Sequence, residues 1–413
     1  MSVHTEHDRR VVLICFECVP GAGSEAGVGW AWAKAAAADA EVIVLTDHAC
    51  VERAWAGAHA LGGHVVVVGV GPRPGIRRLF PAKAIFLYYL VWQAMAARAL
   101  RRCERELRID VVHHVTWASD SLPSALLASH APRRIWGPVG GSTDTAPALY
   151  RYLSTRGRLD DVVRRVLNGT LRATFGRRNA KHATLTVAFN DDVADHFRPI
   201  ARSVTVEPNL AIEPADLDLT DDHVLAHLLP PDTRRTAIFV GRLIPWKGLL
   251  LAIRAVALAP GWRLIVVGEG PEQARGEELA ASLGIADRVR FTGRRTRPEV
   301  FGAFAEADAL LIPTFHDSGP WVAGEAAAMG CPVVCLDAGG AKLLAGRNGH
   351  PIDIGDGEAL PERLAECLEH LGARPDPDRR WVAERLPDLL RSWYGEEPAR
   401  RPLVASSGPG ELR

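Results

Sequence analysis

Short, continuous apolar runs rich in β-branched residues recur along this chain. Each is followed by a glycine- or proline-bearing turn and then a helical stretch. Val11–Phe16, Glu41–Thr46, His64–Gly69, Asp110–Val115, Arg134–Trp136 and Thr184–Phe189 are such runs. Glu25–Ala38, Ala84–Leu107 and Leu159–Arg177 are the helical stretches between them. Continuous rather than alternating apolar residues fit strands covered on both faces. Strands that alternate with helices imply parallel sheets joined by crossovers.

The rhythm breaks at Val204–Arg235, where Pro208, Pro214, Pro230 and Pro231 mix with Asp216, Asp218, Asp221 and Asp222. It resumes with strands Thr236–Val240, Arg263–Val267, Val289–Phe291, Ala309–Ile312 and Pro332–Leu336, and helices Lys247–Leu258, Glu272–Leu283, Arg297–Ala305 and Gly324–Met329. At 413 residues, two α/β domains are expected: residues 1–205 and 236–380, joined by a linker over 206–235. A last helix is expected over 381–397, and a disordered tail over 398–413.

Composition narrows the function. Hydrophobic residues make up 47% and charged ones 24%, enough apolar material for large cores. Lys+Arg and Asp+Glu both number 49, so no global basic field exists to hold nucleic acid. The 7 cysteines are scattered, and Cys15-x-x-Cys18 lacks the second pair a zinc ribbon requires; they read as structural thiols of a cytoplasmic protein. The apolar stretch Ala84–Ala97 is short for a membrane span. Its basic flanks (Arg73, Arg77, Arg78 and Lys83 before it, Arg98, Arg101 and Arg102 after) leave a buried helix and a peripheral helix at the inner membrane face as alternatives.

Open parallel sheets bind ligands beyond the carboxyl ends of their strands, so the loops after strands carry the chemistry. Gly241-Arg242-Leu243-Ile244-Pro245-Trp246-Lys247-Gly248 places a planar donor fork and a point charge after a strand, a pair suited to a diphosphate. On spacing alone, two such cations are more often solvated. Gly268-Glu269-Gly270-Pro271 permits close backbone approach to a ligand, and reads equally as a strand-to-helix turn. In Asp317-Ser318-Gly319-Pro320-Trp321 the amides run toward a helix start, with Glu325 eight residues after Asp317. Taken singly, Asp317 is a helix cap and Glu325 a solvent-facing residue. The small-residue helix and buried strand after Glu325 argue against its exposure.

In this order, Gly241-Arg242-Leu243, Lys247-Gly248, Val267–Pro271, Val289–Gly293, Asp317 with Glu325, and Gly330-Cys331-Pro332-Val333-Val334 resemble the family 4 retaining glycosyltransferases of GT-B fold. The first half is compatible through Gly21–Trp30, Val112–Thr116 and Trp136–Ser142. The resemblance implies two Rossmann-like domains facing each other across a cleft. It implies a nucleotide-diphosphate sugar as donor, no cofactor and no metal. The acceptor is expected to be a sugar, glycolipid or small molecule. Arg242 and Lys247, after Gly241, would hold the diphosphate, Gly23 lying between it and the acceptor. Glu325 would hold the ribose, with Gly268, Gly270, Pro271, Arg290 and Phe291 near the nucleotide. Asp317 and the backbone of Ser318, Gly319, Pro320 and Trp321 would contact the transferred sugar. His114, or else His113, would approach that sugar from the first domain. Asp317 stands where the family has glutamate. The Asp-x-Asp form of Asp216-Leu217-Asp218 reads as a solvated acidic loop. A sugar-nucleotide epimerase and a non-catalytic sugar-nucleotide-binding subunit remain the alternatives.

Overall fold

The computed structural model describes residues 9–72, 85–218 and 233–395; the expected tail lies outside them, as do Arg73, Arg77, Arg78 and Lys83. The first domain contributes strands β1 (Arg10–Cys15), β2 (Glu41–Asp47), β3 (Val65–Val70), β4 (Val111–Thr116), β5 (Arg133–Val139), β6 (Leu185–Ala188) and β7 (Val204–Val206). They form a parallel sheet in the order β3-β2-β1-β4-β5-β6-β7. The second contributes β8 (Arg235–Val240), β9 (Trp262–Val267), β10 (Val289–Gly293), β11 (Ala309–Ile312), β12 (Val333–Leu336) and β13 (Gly349–Ile352). Their order is β10-β9-β8-β11-β12-β13, again parallel.

The two-sided burial expected of the apolar runs is present. In β1, Val11, Leu13 and Cys15 enter one core while Val12 and Ile14 enter the other. In β8, Ala237 and Phe239 face one way, and Ile238 and Val240 the other. Side chains of successive strand residues point to opposite faces, so a covered sheet needs both sets apolar. The cysteines are all free, five of them buried and Cys103 and Cys367 half-buried.

Both strand orders reverse direction at one point, between β1 and β4 and between β8 and β11. Such a reversal splays the following loops apart and leaves a crevice. The loops after β1 and β4 therefore face those after β8 and β11.

Two connections differ from the expected organisation. The stretch read as a linker is partly structural: Leu210 and Ile212 are buried in the second domain, and Ala211 in the first. The chain also crosses back. The Ile212 amide donates to the Trp381 carbonyl at 2.9 Å, and the Ala383 amide to the Ile212 carbonyl at 2.8 Å. The last helix among the described residues, Leu386–Tyr394, then packs Leu386, Leu390, Trp393 and Tyr394 into the first domain's core. From the first half, Leu149 and Leu153 reach into the second domain's core.

The stretch expected to be buried or membrane-facing forms helix Ile85–Glu106. Tyr88, Tyr89, Trp92, Ala96 and Leu100 are buried, whereas Phe86, Leu87, Leu90 and Val91 are exposed. No helix among the described residues is long and apolar enough to cross a membrane.

Candidate active site between the two domains

The loop leaving β8 closes tightly before it offers a cation. Gly241 donates its amide to the Val267 carbonyl at 3.0 Å, and Leu243 to the Glu269 carbonyl at 2.9 Å. This lashes the loops after β8 and β9 together, and it explains Gly268 and Gly270. A Cβ at Gly268 would stand 1.9 Å from the Gly241 carbonyl oxygen, and one at Gly270 2.4 Å from that of Leu243. Close approach between two loops, not to a ligand, demands these glycines. A short 3₁₀ turn, Pro245–Lys247, then lifts Lys247 toward the crevice.

A cleft of about 380 Å³ opens there, lined by both domains. The second domain supplies Gly241, Arg242, Lys247, Arg297, Asp317, Gly319, Pro320, Trp321 and Glu325. Glu25, Phe189 and Asn209 close it from the other side. Arg242 is exposed, while Lys247 forms an ion pair with Asp317. The helix Trp321–Ala328 begins at the cleft wall, presenting its first-turn amides and the positive end of its dipole.

Glu325 is buried one turn into that helix, with Arg297 Nη1 donating to its Oε1 at 2.7 Å. Burial pushes the Glu325 carboxyl above its ordinary range, and Arg297 pulls it part of the way back. The other arm of Arg297 donates to Asp216 Oδ2 at 3.0 Å. Asp216 is therefore not the freely solvated acid expected from the sequence; it holds a site arginine. Arg297 owes its position to the capping box of Thr296 and Glu299 that starts helix Arg297–Glu306. Thr296→Ala is expected to lower unfolding stability by about 1 kcal/mol, measured by urea denaturation.

A second cavity, of about 420 Å³, continues past Arg242 and is lined by Gly268, Glu269, Arg294, Arg295 and Val300. Arg290 and Phe291 do not line it. Arg290 is exposed on β10, and Phe291 packs onto the second domain's core. The residues just beyond that strand, Arg294 and Arg295, line the cavity instead. Gly270 and the exposed Pro271 also stand outside both cavities.

The first domain grips the loop after β11. The Gly141 amide donates to Ser318 Oγ at 3.1 Å, and Asn190 Nδ2 donates to the Ser318 carbonyl at 2.8 Å. Ser318 is thus turned toward the first domain, and the Gly319–Trp321 backbone is left facing the cleft. Gly23 lies above Arg297, since a Cβ there would be 3.8 Å from its Nη1. Glu25 accepts hydrogen bonds from the Trp117 amide and from Asn209, each at 3.0 Å. Asn209 in turn accepts from Trp321 Nε1 at 2.8 Å.

His114 is the expectation the geometry removes. It lies in β4, a central strand covered on both faces, and is buried against Ser124 Oγ at 2.8 Å and Tyr89 Oη at 3.3 Å. Desolvation pushes its pKa down to about 3. His113 points to the opposite core, with Nδ1 3.1 Å from Tyr394 Oη, and burial pushes its pKa to about 4. Neither lines the cleft.

The family description for glycosyl transferases group 1 matches residues 234–370. The match covers the second domain, which is therefore similar to the group 1 glycosyl transferases. The chain is 29% identical to 2-deoxystreptamine glucosyltransferase of Streptomyces kanamyceticus, over 71% of this chain and 79% of that protein. It is 36% identical to D-inositol 3-phosphate glycosyltransferase of Mycobacteroides abscessus, but over 33% of this chain and only 32% of that relative's length. Sucrose-phosphate synthase from Thermosynechococcus elongatus superposes with a TM-score of 0.60 at 16% identity, over 92% of this chain and 93% of that one. HepE of Anabaena, solved in complex with UDP, superposes with a TM-score of 0.57 at 17% identity, covering 92% and 98%. The chain thus has the GT-B fold, with its cleft between the facing domains.

Proposed function

We propose that this protein is a retaining glycosyltransferase that moves a hexose-type sugar from a nucleotide-diphosphate donor to an acceptor hydroxyl. The observation that carries the reading is the convergence of Arg242, Lys247, the start of helix Trp321–Ala328 and Glu325 on one interdomain cleft. Arg242, shared by both cavities, would hold the diphosphate where they meet, with Lys247 and the helix-start amides on its other side. The nucleoside would extend along the second cavity, and Glu325 would accept from ribose hydroxyls. The sugar would lie against Asp317 and the Gly319–Trp321 backbone.

In the transfer step the bond between the anomeric carbon and the diphosphate oxygen breaks. The acceptor oxygen bonds to that carbon from the same face, and its proton passes to a phosphate oxygen of the leaving diphosphate. Charge grows on the diphosphate as the bond lengthens, so Arg242, Lys247 and the amides bind the transition state more tightly than the donor. Their fixed charges meet that demand without a divalent ion. Turnover is accordingly expected to be unchanged by EDTA, and a strict requirement for magnesium or manganese would overturn this arrangement.

The chain matches the 2-deoxystreptamine glucosyltransferase along most of both proteins, which supports an acceptor among sugars, glycolipids or glycosylated small molecules. A screen of nucleotide sugars, read by release of nucleoside diphosphate with an acceptor panel, tests the reading. Acceptor-dependent release supports it. Conversion of the donor to its epimer without acceptor, or donor binding without transfer, would replace it.

A further inference from the structure

Helix Thr155–Leu171 is mounted inside out. Leu159, Val162, Val163, Val166 and Leu167 recur at the spacing that in a packed helix faces the core. Here they are 47–66% exposed. The inward side carries the polar groups instead. Asp161 is buried, accepting from Thr145 Oγ1 at 3.1 Å, Tyr150 Oη at 2.7 Å and Arg164 Nη2 at 2.8 Å. This defined hydrogen-bond set fixes the helix's rotation, so the apolar stripe is held outward.

A contiguous exposed apolar stripe marks an interaction surface, and the charges beside it select the partner. Arg156 is exposed on the same helix, and the exposed Arg177 and Arg178 follow it, against the single exposed acid of the helix, Asp160. Arg158 and Arg165 are turned to the protein, Arg158 donating to the Tyr150 and Leu153 carbonyls and Arg165 pairing with Asp144. A second exposed apolar patch, Phe86, Leu87, Leu90 and Val91, stands on helix Ile85–Glu106. The second patch abuts the loop after β4, since the Phe86 ring lies 6.4 Å from Trp117, and the turn that follows helix Thr155–Leu171 reaches the same loop, where Arg172 Nε donates to Asp120 Oδ2 at 2.5 Å. The patch on helix Ile85–Glu106 and the carboxyl end of helix Thr155–Leu171 thus meet at one loop of the first domain.

We propose that helix Thr155–Leu171 docks the first domain on a bilayer surface rich in anionic headgroups. The valines and leucines enter the boundary between headgroups and acyl chains, while the arginines reach lipid phosphates along their aliphatic stems. A second copy of the chain is the poorer occupant, because a two-fold pairing of this face would bring its arginines together. The inference does not depend on the transfer reaction.

Sedimentation of the full chain with phosphatidylcholine vesicles, with and without roughly a third phosphatidylglycerol, tests it. Binding is expected to the anionic vesicles only and to weaken as salt rises. The Val163→Asp/Val166→Asp variant alters only exposed side chains, and it is expected to bind at least ~10-fold more weakly at an unchanged melting temperature. Arg177→Glu/Arg178→Glu supplies an independent reading of the charge. Absence of wild-type binding to anionic vesicles, or binding that survives the valine variant, overturns the proposal. So does a solution dimer, detected by light scattering, that the valine variant dissociates.

Discussion

Lys247→Ala is expected to lower the turnover number by about 10²–10³, the effect typical of removing one preorganised donor from a developing oxyanion. Arg242→Ala is expected to act comparably through donor affinity as well as turnover. The two variants should part company in stability. Arg242 is exposed, and its loss is expected to leave the melting temperature unchanged. Lys247 is ion-paired with Asp317, and both side chains are mostly buried, so its removal strands a carboxylate and costs some stability as well. Lys247→Arg restores charge but not its compact shape, and it should recover only part of the rate. The checks are steady-state kinetics on the identified donor and a thermal melt of each variant. Wild-type turnover in both alanine variants would remove the diphosphate from this corner of the cleft.

The second large effect is structural. Arg297 joins Glu325 and Asp216, and removing it leaves the buried Glu325 beside a second carboxylate with no cation between them. Arg297→Ala is expected to cost about 2–3 kcal/mol. That is below the ~3–5 kcal/mol of a fully buried pair, because the Arg297 side chain keeps 31% of its surface exposed. The sign with pH follows from Glu325. Burial already raises its folded-state pKa above the unfolded value, and loss of Arg297 raises it further. An acid shifted upward favours the folded state when protonated and opposes it when ionised. The deficit of the variant should therefore grow as pH rises through the Glu325 pKa, and shrink in acid. Glu325→Gln in the Arg297→Ala background should recover part of the loss. A deficit that does not change with pH would mean that Glu325 is not the group left unpaired.

Much of the fold was legible because continuous apolar runs have few meanings. β1, β8 and β11 lie within a residue or so of the runs that announced them. Two of the edge strands, β7 and β13, were not legible. Val204–Val206 is short and half-buried, and Gly349–Ile352 contains a glycine and a proline, so neither carries the apolar signature of a covered strand. The cleft was legible where function and sequence are local: Arg242, Lys247, Asp317 and Glu325 are placed by the loops around them.

Arg297 and Asn209 were missed for opposite reasons. Arg297 stands inside a Thr296-x-x-Glu299 start signal, which locates a helix but does not say that its first residue reaches across to another helix. Asn209 lies in a proline- and acid-rich stretch that reads as linker, although it bridges Glu25 and Trp321. His114 illustrates a limit of motif reasoning. In a central strand, neighbouring residues face opposite cores, and only residues past its carboxyl end can meet a ligand.

The return of helix Leu386–Tyr394 to the first domain has a consequence for synthesis. Trp393 lies 5.5 Å from Trp32, centroid to centroid, and Leu386 and Leu390 fill the same core. A nascent chain whose first two hundred residues have left the ribosome therefore still lacks part of their interior. Domains usually fold in the order in which they emerge. Here the earlier-made domain waits for a helix made after the second domain, and a product stalled or clipped before that helix would expose an unfinished first core.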